Sequence, residues 1–536
     1  MPVRFIGIDL GTGPADWQIM DWGAWACQIP VECSVWGNMR PLILFAVFFS
    51  AFSQAAPLPV PEAGKLPRWR GFNLLEKFYY SGKREPFRED DFRMISKLGF
   101  NFVRLPMDYR GYIADGDWNR FDEAPLRQID EAVAWGRKYD IHVSLNLHRA
   151  PGWTVANPPE PKNLWTDADA RQATVRHWAM FARRYHGIPS ANLSFNLFNE
   201  PAGVPEESYL DVVREVVAAI RAEDAGRLVL CDGLEWGTKP VGGMIPLKVG
   251  MMTRGYSPFQ LTHYRANWVD GSDKWDVPVW PEIAGTGGTL ISPAKKDLSR
   301  PLRISGRIAA GSTLRMVATT LSTAATLTVS DAAGKELWRQ SLTAGPEKGP
   351  WNKVTRDERW QNWKAEGEVE LKVKLDAATD GLVLRVVDGD WITLGMLAIR
   401  EGDGKPEAKV RLTPSWDQVP EVLLYDSAAP GGPMMGIRHG REWLRDQAVR
   451  PWRDFAAKGG GVMVGEWGAF QQTPHDVTLR WAEDCLRNWQ EAGWGWALWN
   501  FRGSFGILDS GRSDVEYEDL EGHKLDRKFL DLLQRY

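Results

Sequence analysis

Short apolar runs alternate with amphipathic segments over most of this chain, and this alternation is the feature that most constrains its fold. Apolar runs of strand length separated by segments of helix length predict βα units around a parallel sheet. The predicted strands are Arg70–Leu74, Phe102–Leu105, His142–Leu147, Leu193–Phe198, Leu228–Cys231, a sixth around Met251–Gln260, Gly461–Gly465 and Gly495–Trp499. The predicted helices are Glu89–Leu98, Leu126–Lys138, Ala168–Tyr185, Glu206–Glu223, Arg441–Lys458 and Val477–Ala492. Strands and helices in this order predict an α/β fold, a (β/α)8 TIM barrel.

The pattern changes after Trp280 for about 130 residues, where short segments rich in β-branched residues are separated by Gly and Asp turns. This block predicts an all-β sandwich domain that interrupts the barrel between strands six and seven. We therefore expect barrel strands one to six in residues 57–280, the inserted β-sandwich in residues 281–412, and barrel strands seven and eight in residues 413–536.

The N-terminal region carries the pattern of an export signal. Residues 41–52 form an apolar run that follows Met39-Arg40 and is followed by Ser53-Gln54-Ala55. A basic start, a short apolar run and a small-residue exit are typical of a secretory signal peptide, and the run is short for a bilayer span. We expect residues 39–56 to be the signal, residues 1–38 to be a spurious upstream extension, and the mature chain to be secreted or periplasmic, with no membrane span. The alternative is a buried strand or helix.

Charge and cysteine content exclude some classes of function. The chain has 65 Lys and Arg against 69 Asp and Glu, a net charge of -4, which argues against a nucleic-acid partner because phosphate binding needs concentrated positive charge. Outside residues 1–38 only Cys231 and Cys485 remain, far apart in the sequence. They provide neither a disulfide framework nor the spacing of a metal site, so we expect no metal and no cofactor.

Polar residues follow the predicted barrel strands, where the active sites of such barrels lie. These candidates are Asn73, Arg104, His148, Asn199, Glu200, Tyr256, His263, Glu466 and Trp499. Two of them, Glu200 and Glu466, directly follow strongly apolar strands, and carboxylates are rarely placed there without a partner or a task.

Two carboxylates across a cleft are the apparatus for glycoside hydrolysis: one protonates the leaving oxygen while the other attacks the anomeric carbon or activates water. The chain is also rich in Trp, with 28 residues, and flat indole faces suit stacking on sugar rings. We expect Trp153, Trp236, Trp467 and Trp499 to offer such faces; the alternative is that they only cap the barrel.

At these positions the chain resembles glycoside hydrolase family 5, the cellulase family. The segment Leu193–Pro201, which ends in Asn199-Glu200-Pro201, resembles the strand-four signature of that family. Five further segments resemble its other landmarks, in the same order: Arg70–Leu74, Phe102–Pro106, Leu147-His148 with Pro151-Gly152, Gly465–Gly468 and Gly493–Trp499. The resemblance covers about residues 68–275 and 415–536.

The resemblance implies a retaining mechanism, with Glu200 as general acid/base and Glu466 as nucleophile. Arg104 would keep Glu466 ionised, because a nearby cation favours the charged form. Asn199 would hold the sugar 2-hydroxyl, while His148 would line the same subsite and Trp499 would form its floor.

The chain departs from the family pattern in strand six. Arg254 stands where a His commonly lies two residues before the Tyr, here Tyr256. Tyr256 remains a candidate to orient Glu466, and His263 remains a candidate for substrate binding.

The β insert resembles a carbohydrate-binding module around Val387–Trp391. Trp338, Trp351, Trp360 and Trp363 are its candidates for exposed aromatic side chains. The alternative is a structural insert that walls one side of the cleft.

The expected function is that of a monomeric retaining glycoside hydrolase that cleaves β-glucan, an endo-β-1,4-glucanase, with a polysaccharide or oligosaccharide as its partner. Within the same family, the alternatives are a β-mannanase and an exo-acting β-glucosidase. From other classes, they are a non-catalytic carbohydrate-binding protein and a cell-surface interaction protein.

Overall fold

The fold is known from a computed structural model that describes residues 58–80, 85–283, 287–295, 298–358, 360–414, 422–428, 431, 434 and 438–536. Eight strands pair in parallel and close into a ring, because the first strand pairs with both the second and the eighth. The strands are β1 (Arg70–Asn73), β2 (Phe102–Asp108), β3 (His142–Ala150), β4 (Leu193–Asn196), β5 (Leu228–Asp232), β6 (Gly250–Gly255), β7 (Val462–Trp467) and β8 (Trp496–Leu498). The (β/α)8 barrel predicted from the sequence is confirmed.

Helices of eight residues or more surround this barrel. They are α1 (Glu89–Lys97), α2 (Glu123–Lys138), α3 (Ala168–Arg184), α4 (Glu206–Glu223), α5 (Arg450–Ala457), α6 (His475–Ala492) and α7 (Arg527–Arg535). Their ends follow local chemistry: the Asp122 and Asp167 side chains cap α2 and α3, and Gly493 ends α6 in the left-handed conformation.

The helix predicted at Arg441–Lys458 differs from the prediction, because it has three parts. An α-helical turn at Arg441–Leu444 leads into a π-helical segment at Arg445–Val449 and then into α5. Pro451 explains the change, because proline has no N–H to donate to the preceding turn and its ring crowds the carbonyl there.

The barrel is closed at its N-terminal end by its own side chains. Trp69 is fully buried there and stacks on His142 with ring centroids 3.8 Å apart. The layer also contains Leu66, Phe102, Leu228, Leu230, Met252, Met463 and Ala497. With this end packed, the opposite, C-terminal end is the face open to a ligand.

The insert is an all-β domain between β6 and β7, as predicted. Two long strands, Thr313–Asp331 and Thr379–Arg400, run antiparallel through its whole length. The first half of Thr313–Asp331 pairs with Asn362–Lys374 and the second half with Glu336–Thr343, so the two long strands belong to both ends of the sheet. The remaining strands are Thr289–Ile291, Leu302–Ile308, Lys353–Asp357, Glu407–Arg411 and Val422–Leu424. The insert has its own apolar core, separate from that of the barrel.

The chain enters and leaves the insert at one place, where Glu282–Ile283 pairs antiparallel with Arg438–His439. The strand Val422–Leu424 pairs with Leu302–Ile308, so the insert extends beyond the end predicted at residue 412. The sequence suggested a return to the barrel near residue 415 because no strand pattern is visible in the short run at Val422–Leu424.

The predicted upstream extension, residues 1–38, and the predicted signal, residues 39–56, lie outside the described residues. In the described part of the chain, the helices are all too short or too polar to cross a membrane.

Candidate active site

The register of β6 and β7 brings charged side chains together at the C-terminal end of the barrel. Glu466 on β7 lies directly beside Arg254 on β6. The register shifts between Val464 and Glu466, so Gly465 forms a bulge. A side chain at Gly465 would meet the Met252 sulfur at 2.8 Å, which explains why glycine is needed there.

Glu466 is 3% exposed and is held by three side chains. Its Oε1 accepts hydrogen bonds from Arg104 Nη1 at 2.6 Å and from Arg254 Nη2 at 3.0 Å. Its Oε2 accepts a longer hydrogen bond from the Tyr256 hydroxyl at 3.4 Å. Donors on both oxygens fix the orientation of this carboxylate.

Arg104 is fully buried and connects the strands on the other side of the site. Its Nε donates to Asn196 Oδ1 at 2.8 Å, and its Nη1 also donates to Asn73 Oδ1 at 3.0 Å. Its Nη2 donates to Asn199 Oδ1 at 2.9 Å. One guanidinium thus holds side chains from β1, β4 and β7 in fixed positions.

Glu200 follows β4 in the left-handed backbone conformation, with φ of 50°. Such a conformation is uncommon for residues other than glycine and is often found at functional sites. The Glu200 backbone N–H donates to Asp232 Oδ2 at 3.0 Å, and its Oε1 accepts a hydrogen bond from Arg254 Nε at 2.8 Å. Burial and the neighbouring Glu466 raise the pKa of the Glu200 carboxyl from 4.5 to about 7, despite the opposing effect of Arg254.

Asp232, at the end of β5, is a site residue that the sequence reasoning missed. It is fully buried, and it accepts hydrogen bonds from Asn196 Nδ2 at 3.0 Å, from Glu200 N and from Arg254 Nη2. Its position after an apolar strand was the available signal, but the Asp232-Gly233 pair that ends the strand is also typical of a turn.

Arg254 bridges the two glutamates, because one guanidinium contacts Glu200 through Nε and Glu466 through Nη2. Nη2 also donates to Asn199 Oδ1 at 3.0 Å and forms the ion pair with Asp232. Although burial disfavours its charge, the carboxylates of Asp232, Glu466 and Glu200 raise the pKa of Arg254 above its usual value.

A group of polar and aromatic side chains next to the carboxylates has the chemistry to bind a sugar. Asn199 is fully buried, its Oδ1 accepts from two guanidinium groups, and its Nδ2 has no protein partner among the described residues. The His148 ring lies 5.7 Å from the Trp499 ring and 4.6 Å from the Phe78 ring. Burial, followed by the charges of three nearby arginines, lowers the pKa of His148 well below its usual value, so the ring is neutral.

Other candidates take different places. His263 packs among aromatic rings: its ring stacks on Phe259 at 4.1 Å and lies 5.2 Å from the Tyr256 ring. Trp467 is fully buried, 5.0 Å from Trp489 of α6, so the expectation that it stacks on sugar is wrong. The reason is strand alternation: with Glu466 turned into the barrel, the next side chain points out towards the helices.

The remaining two tryptophans lie near the open end of the barrel. Trp153 is half-buried, and its indole N–H donates to the Asn199 carbonyl at 2.8 Å. Trp236 is 50% exposed, and both it and Glu235 adopt the left-handed conformation after β5. In the described part of the chain, His, Cys, Asp and Glu side chains form no group of three or more that is suited to a metal ion.

The fold and the geometry define the class: a (β/α)8 barrel in which the buried Glu466 and the partly buried Glu200 contact the same arginine at the C-terminal face. Residues 60–252 match the model of a protein family described as Cellulase (glycosyl hydrolase family 5). This part of the chain, which contains barrel strands β1 to β5 and the start of β6, is therefore similar to glycosyl hydrolase family 5, in agreement with the resemblance seen in the sequence.

Individual relatives show the same similarity. The chain is 27% identical over 188 residues to endoglucanase C of Acetivibrio thermocellus, which is 34% of this chain and 54% of that protein. It is 28% identical over 179 residues to a probable glucan 1,3-beta-glucosidase A of Emericella nidulans, 32% of this chain and 44% of that protein. The chain thus spans about half the length of the curated relatives that it matches.

A solved structure extends the similarity to most of the chain. A crystal structure described as that of a glycoside hydrolase is 27% identical and superposes with a TM-score of 0.56. The superposition covers 87% of this chain and 99% of the other.

Proposed function

We propose that the chain is a retaining glycoside hydrolase that cleaves β-glucan, with endo-β-1,4-glucanase activity. The observation that carries the proposal is the placement of Glu200 and Glu466 on adjacent nitrogens of one guanidinium. In retaining enzymes the two carboxyl groups lie about 5–5.5 Å apart, which suits a double displacement. In inverting enzymes they lie about 6.5–9.5 Å apart, which leaves room for the attacking water. A guanidinium shared between the two carboxylates supports the shorter spacing.

Glu466 is the nucleophile in this proposal. Arg104 and Tyr256 orient its carboxyl group, so that one oxygen can attack the anomeric carbon. Attack forms a covalent glycosyl ester on Glu466 and breaks the bond to the leaving oxygen.

Glu200 is the general acid of this first step and the general base of the second. A pKa of about 7 leaves the carboxyl protonated in mildly acidic solution, so it can donate its proton to the leaving oxygen. It then takes a proton from the water that hydrolyses the ester.

The sugar subsite is formed by Asn199, His148 and Trp499. The Asn199 amide N–H is available to a hydroxyl next to the reacting carbon, where a hydrogen bond strengthens as positive charge develops. The neutral His148 ring can bind a second hydroxyl, and Trp499 and Phe78 supply apolar surface beside it. His263 acts by packing under Tyr256.

The choice of β-glucan is supported by the relatives, one an endoglucanase and the other a probable glucan 1,3-beta-glucosidase. The second relative makes an exo-acting β-glucosidase the main alternative within the family, ahead of a β-mannanase. A non-catalytic carbohydrate-binding protein is the alternative from another class; it would need no protonated Glu200.

Export and the division into a barrel and an insert are part of the proposal, with the insert continuing past residue 412 to include Val422–Leu424. The signal at residues 39–56 would direct the chain out of the cytoplasm, and the mature chain would act as a monomer.

Two roles remain open for the insert. Trp360 is 67% exposed, which supports sugar binding by the insert, whereas Trp338, Trp351 and Trp363 pack against its core. The 3.0 Å ion pair between Arg411 of the insert and Asp276 of the barrel supports the alternative, a structural insert that forms one side of the cleft.

The test is product release by the chain from Pro57 onward on carboxymethyl-cellulose, mixed-linkage glucan, xyloglucan, laminarin, mannan and xylan. Glu466→Gln, which keeps the shape of the side chain, is the control. We expect a ladder of oligosaccharides from the β-1,4-linked glucans and none from the variant. Release of glucose alone would favour the exo-acting enzyme, and products from mannan alone the mannanase. Equal activity of the variant, or no product from any polymer, would contradict the proposal.

A further inference from the structure

The space occupied by the Arg254 side chain depends on two glycines. Arg254 is the residue that departs from the family pattern. A side chain at Gly237 would meet Arg254 Cγ at 2.7 Å, and one at Gly465 would meet Arg254 Nη1 at 3.1 Å. Gly237 has φ of 76°, a conformation that favours glycine. Two glycines on different sides of one 6% exposed arginine indicate that its place is fixed by the surrounding structure.

The site contains more carboxyl groups than guanidinium groups. Three carboxyl groups, those of Glu200, Glu466 and Asp232, face two guanidinium groups, those of Arg104 and Arg254. Tyr256 also interacts with Glu200 and Glu466, Tyr209 interacts with Asp232 and Arg254, and the neutral His148 lies near the two arginines. Arginine stays charged in proteins, so the set is neutral only when one carboxyl group carries a proton.

Hydrogen bonding decides where that proton resides. Asp232 accepts three N–H donors and Glu466 accepts three donors. Hydrogen bonds of this kind are strongest when the accepting oxygen carries negative charge. Among the described residues, the carboxyl group of Glu200 accepts a side-chain hydrogen bond from one donor, Arg254 Nε, on Oε1. Glu200 is therefore the group that is protonated when the set is neutral.

We propose that Arg254 is a positioning residue of this site: it holds the carboxyl groups of Glu200 and Glu466 on one guanidinium and keeps the charge of the set balanced throughout the reaction. The inference rests on the proposed function. In the free enzyme Glu466 is charged and Glu200 carries the proton.

The net charge of these five groups stays at zero through the first chemical step. The Glu466 oxygen forms a bond to the anomeric carbon, the bond from that carbon to the leaving oxygen breaks, and the Glu200 proton passes to the leaving oxygen. Glu466 is then an uncharged ester, and the charged Glu200 and Asp232 face the two arginines. Glu200 thus becomes a base without leaving an unpaired charge in the buried site.

The test is the pH dependence of kcat/KM for a soluble aryl β-glycoside, measured for the wild type, Arg254→Met and Arg254→Lys. Without the guanidinium, one cation faces three carboxyl groups, so the set takes up an additional proton. A nearby opposite charge shifts a titration by about 1–3 pH units, so we expect both limbs of the Arg254→Met profile to move to higher pH by about 1 unit or more. Arg254→Lys keeps the positive charge but cannot contact Glu200 and Glu466 at the same time. The limbs of its pH profile should therefore move less than those of Arg254→Met, while its kcat falls.

The matched control is Arg227→Met. Arg227 is also buried, but it donates to the carbonyls of Leu193, Tyr185 and Ile188 at the other end of the barrel. We expect Arg227→Met to be less stable than the wild type, with both limbs of its pH profile of kcat/KM unchanged. A similar result for Arg254→Met, lower activity with unmoved limbs, would overturn the inference.

A second measurement separates this inference from the proposed function. The Glu200 carboxyl group can be titrated by carbon-13 NMR, with its signal assigned from the Glu200→Gln variant, in a protein that turns over no glycoside at all. An upward shift of this titration in Arg254→Met supports the role of Arg254 even if no substrate is found. An unchanged titration overturns it even if the wild type is an active glycosidase.

Discussion

The protonated state of Glu200 has a consequence for folding stability that requires no substrate. Burial and the charge of Glu466 raise the pKa of this carboxyl group from 4.5 to about 7 in the folded chain. Between these values the folded state holds a proton that the unfolded state has released, so stability must fall as pH rises. The contribution is fully present below pH 4.5 and is lost as the pH passes through about 7.

The size of this effect on the free energy of unfolding follows from the two pKa values of Glu200. One pH unit corresponds to about 1.4 kcal/mol, so the contribution of Glu200 to the free energy of unfolding should fall by about 2.5 kcal/mol between about pH 5 and about pH 8.5. Glu200→Gln removes the titrating group and keeps an oxygen to accept the Arg254 hydrogen bond. The side chain of Glu200 is 16% exposed, so solvent screening reduces this figure little.

The assay is urea unfolding of the wild type and Glu200→Gln at both pH values, because the other titrating groups cancel in the difference. Glu207→Gln, at an exposed position of α4 (78% side-chain exposure), controls for the loss of one negative charge. We expect the stability of the wild type relative to Glu200→Gln to be lower at the higher pH by about 2.5 kcal/mol. A difference that stays constant within about 0.5 kcal/mol would mean that Glu200 is already ionised at the lower pH, and would refute its assignment as the acid.

Three further predictions concern other parts of the molecule. Arg104→Met should lower the free energy of unfolding by about 3–5 kcal/mol, because it leaves a buried carboxylate and amide oxygens with fewer donors; a loss below about 1 kcal/mol in urea titrations would contradict the buried network. Trp499→Ala should lower kcat/KM for oligosaccharides about tenfold, since a stacked aromatic side chain contributes about 0.5–1.5 kcal/mol beyond its buried area; unchanged kinetics would exclude Trp499 from the sugar site. Replacing residues 284–437 with a short Gly-containing turn should leave a folded barrel that cleaves small soluble glycosides, because residues 283 and 438 are strand partners; loss of cooperative thermal unfolding would show that the barrel depends on the insert.

The sequence predicts the barrel well because each strand is a compact apolar run with a polar residue after it. The predicted start of α4 at Glu206 and its end at Glu223 agree with the structure. In the insert, neighbouring short segments of the sequence join into two long strands, Thr313–Asp331 and Thr379–Arg400. Bends at Thr323 and Gly389, both in the left-handed region, interrupt the alternation that a sequence pattern relies on.

The contacts of the candidate site depend on features that one sequence does not display. The register of β6 and β7, with its bulge at Gly465, places Arg254 beside Glu466. Asp232 enters the site because Glu200 turns back towards β5 in a left-handed conformation. Trp467, in contrast, was predictable: it follows Glu466 by one position in a strand and must face the other way.

The most direct test of the central claim, a double displacement through Glu466, is to trap the covalent intermediate. The wild type would be incubated with a 2-deoxy-2-fluoro-β-cellobioside carrying a good leaving group, which slows hydrolysis of the ester more than its formation. Intact-mass and peptide mass spectrometry would then locate the adduct. We expect one fluoroglycosyl group on Glu466 and none on the Glu466→Gln variant. An adduct on Glu200, or hydrolysis of unmodified substrate without any adduct and with inverted configuration of the product, would contradict it.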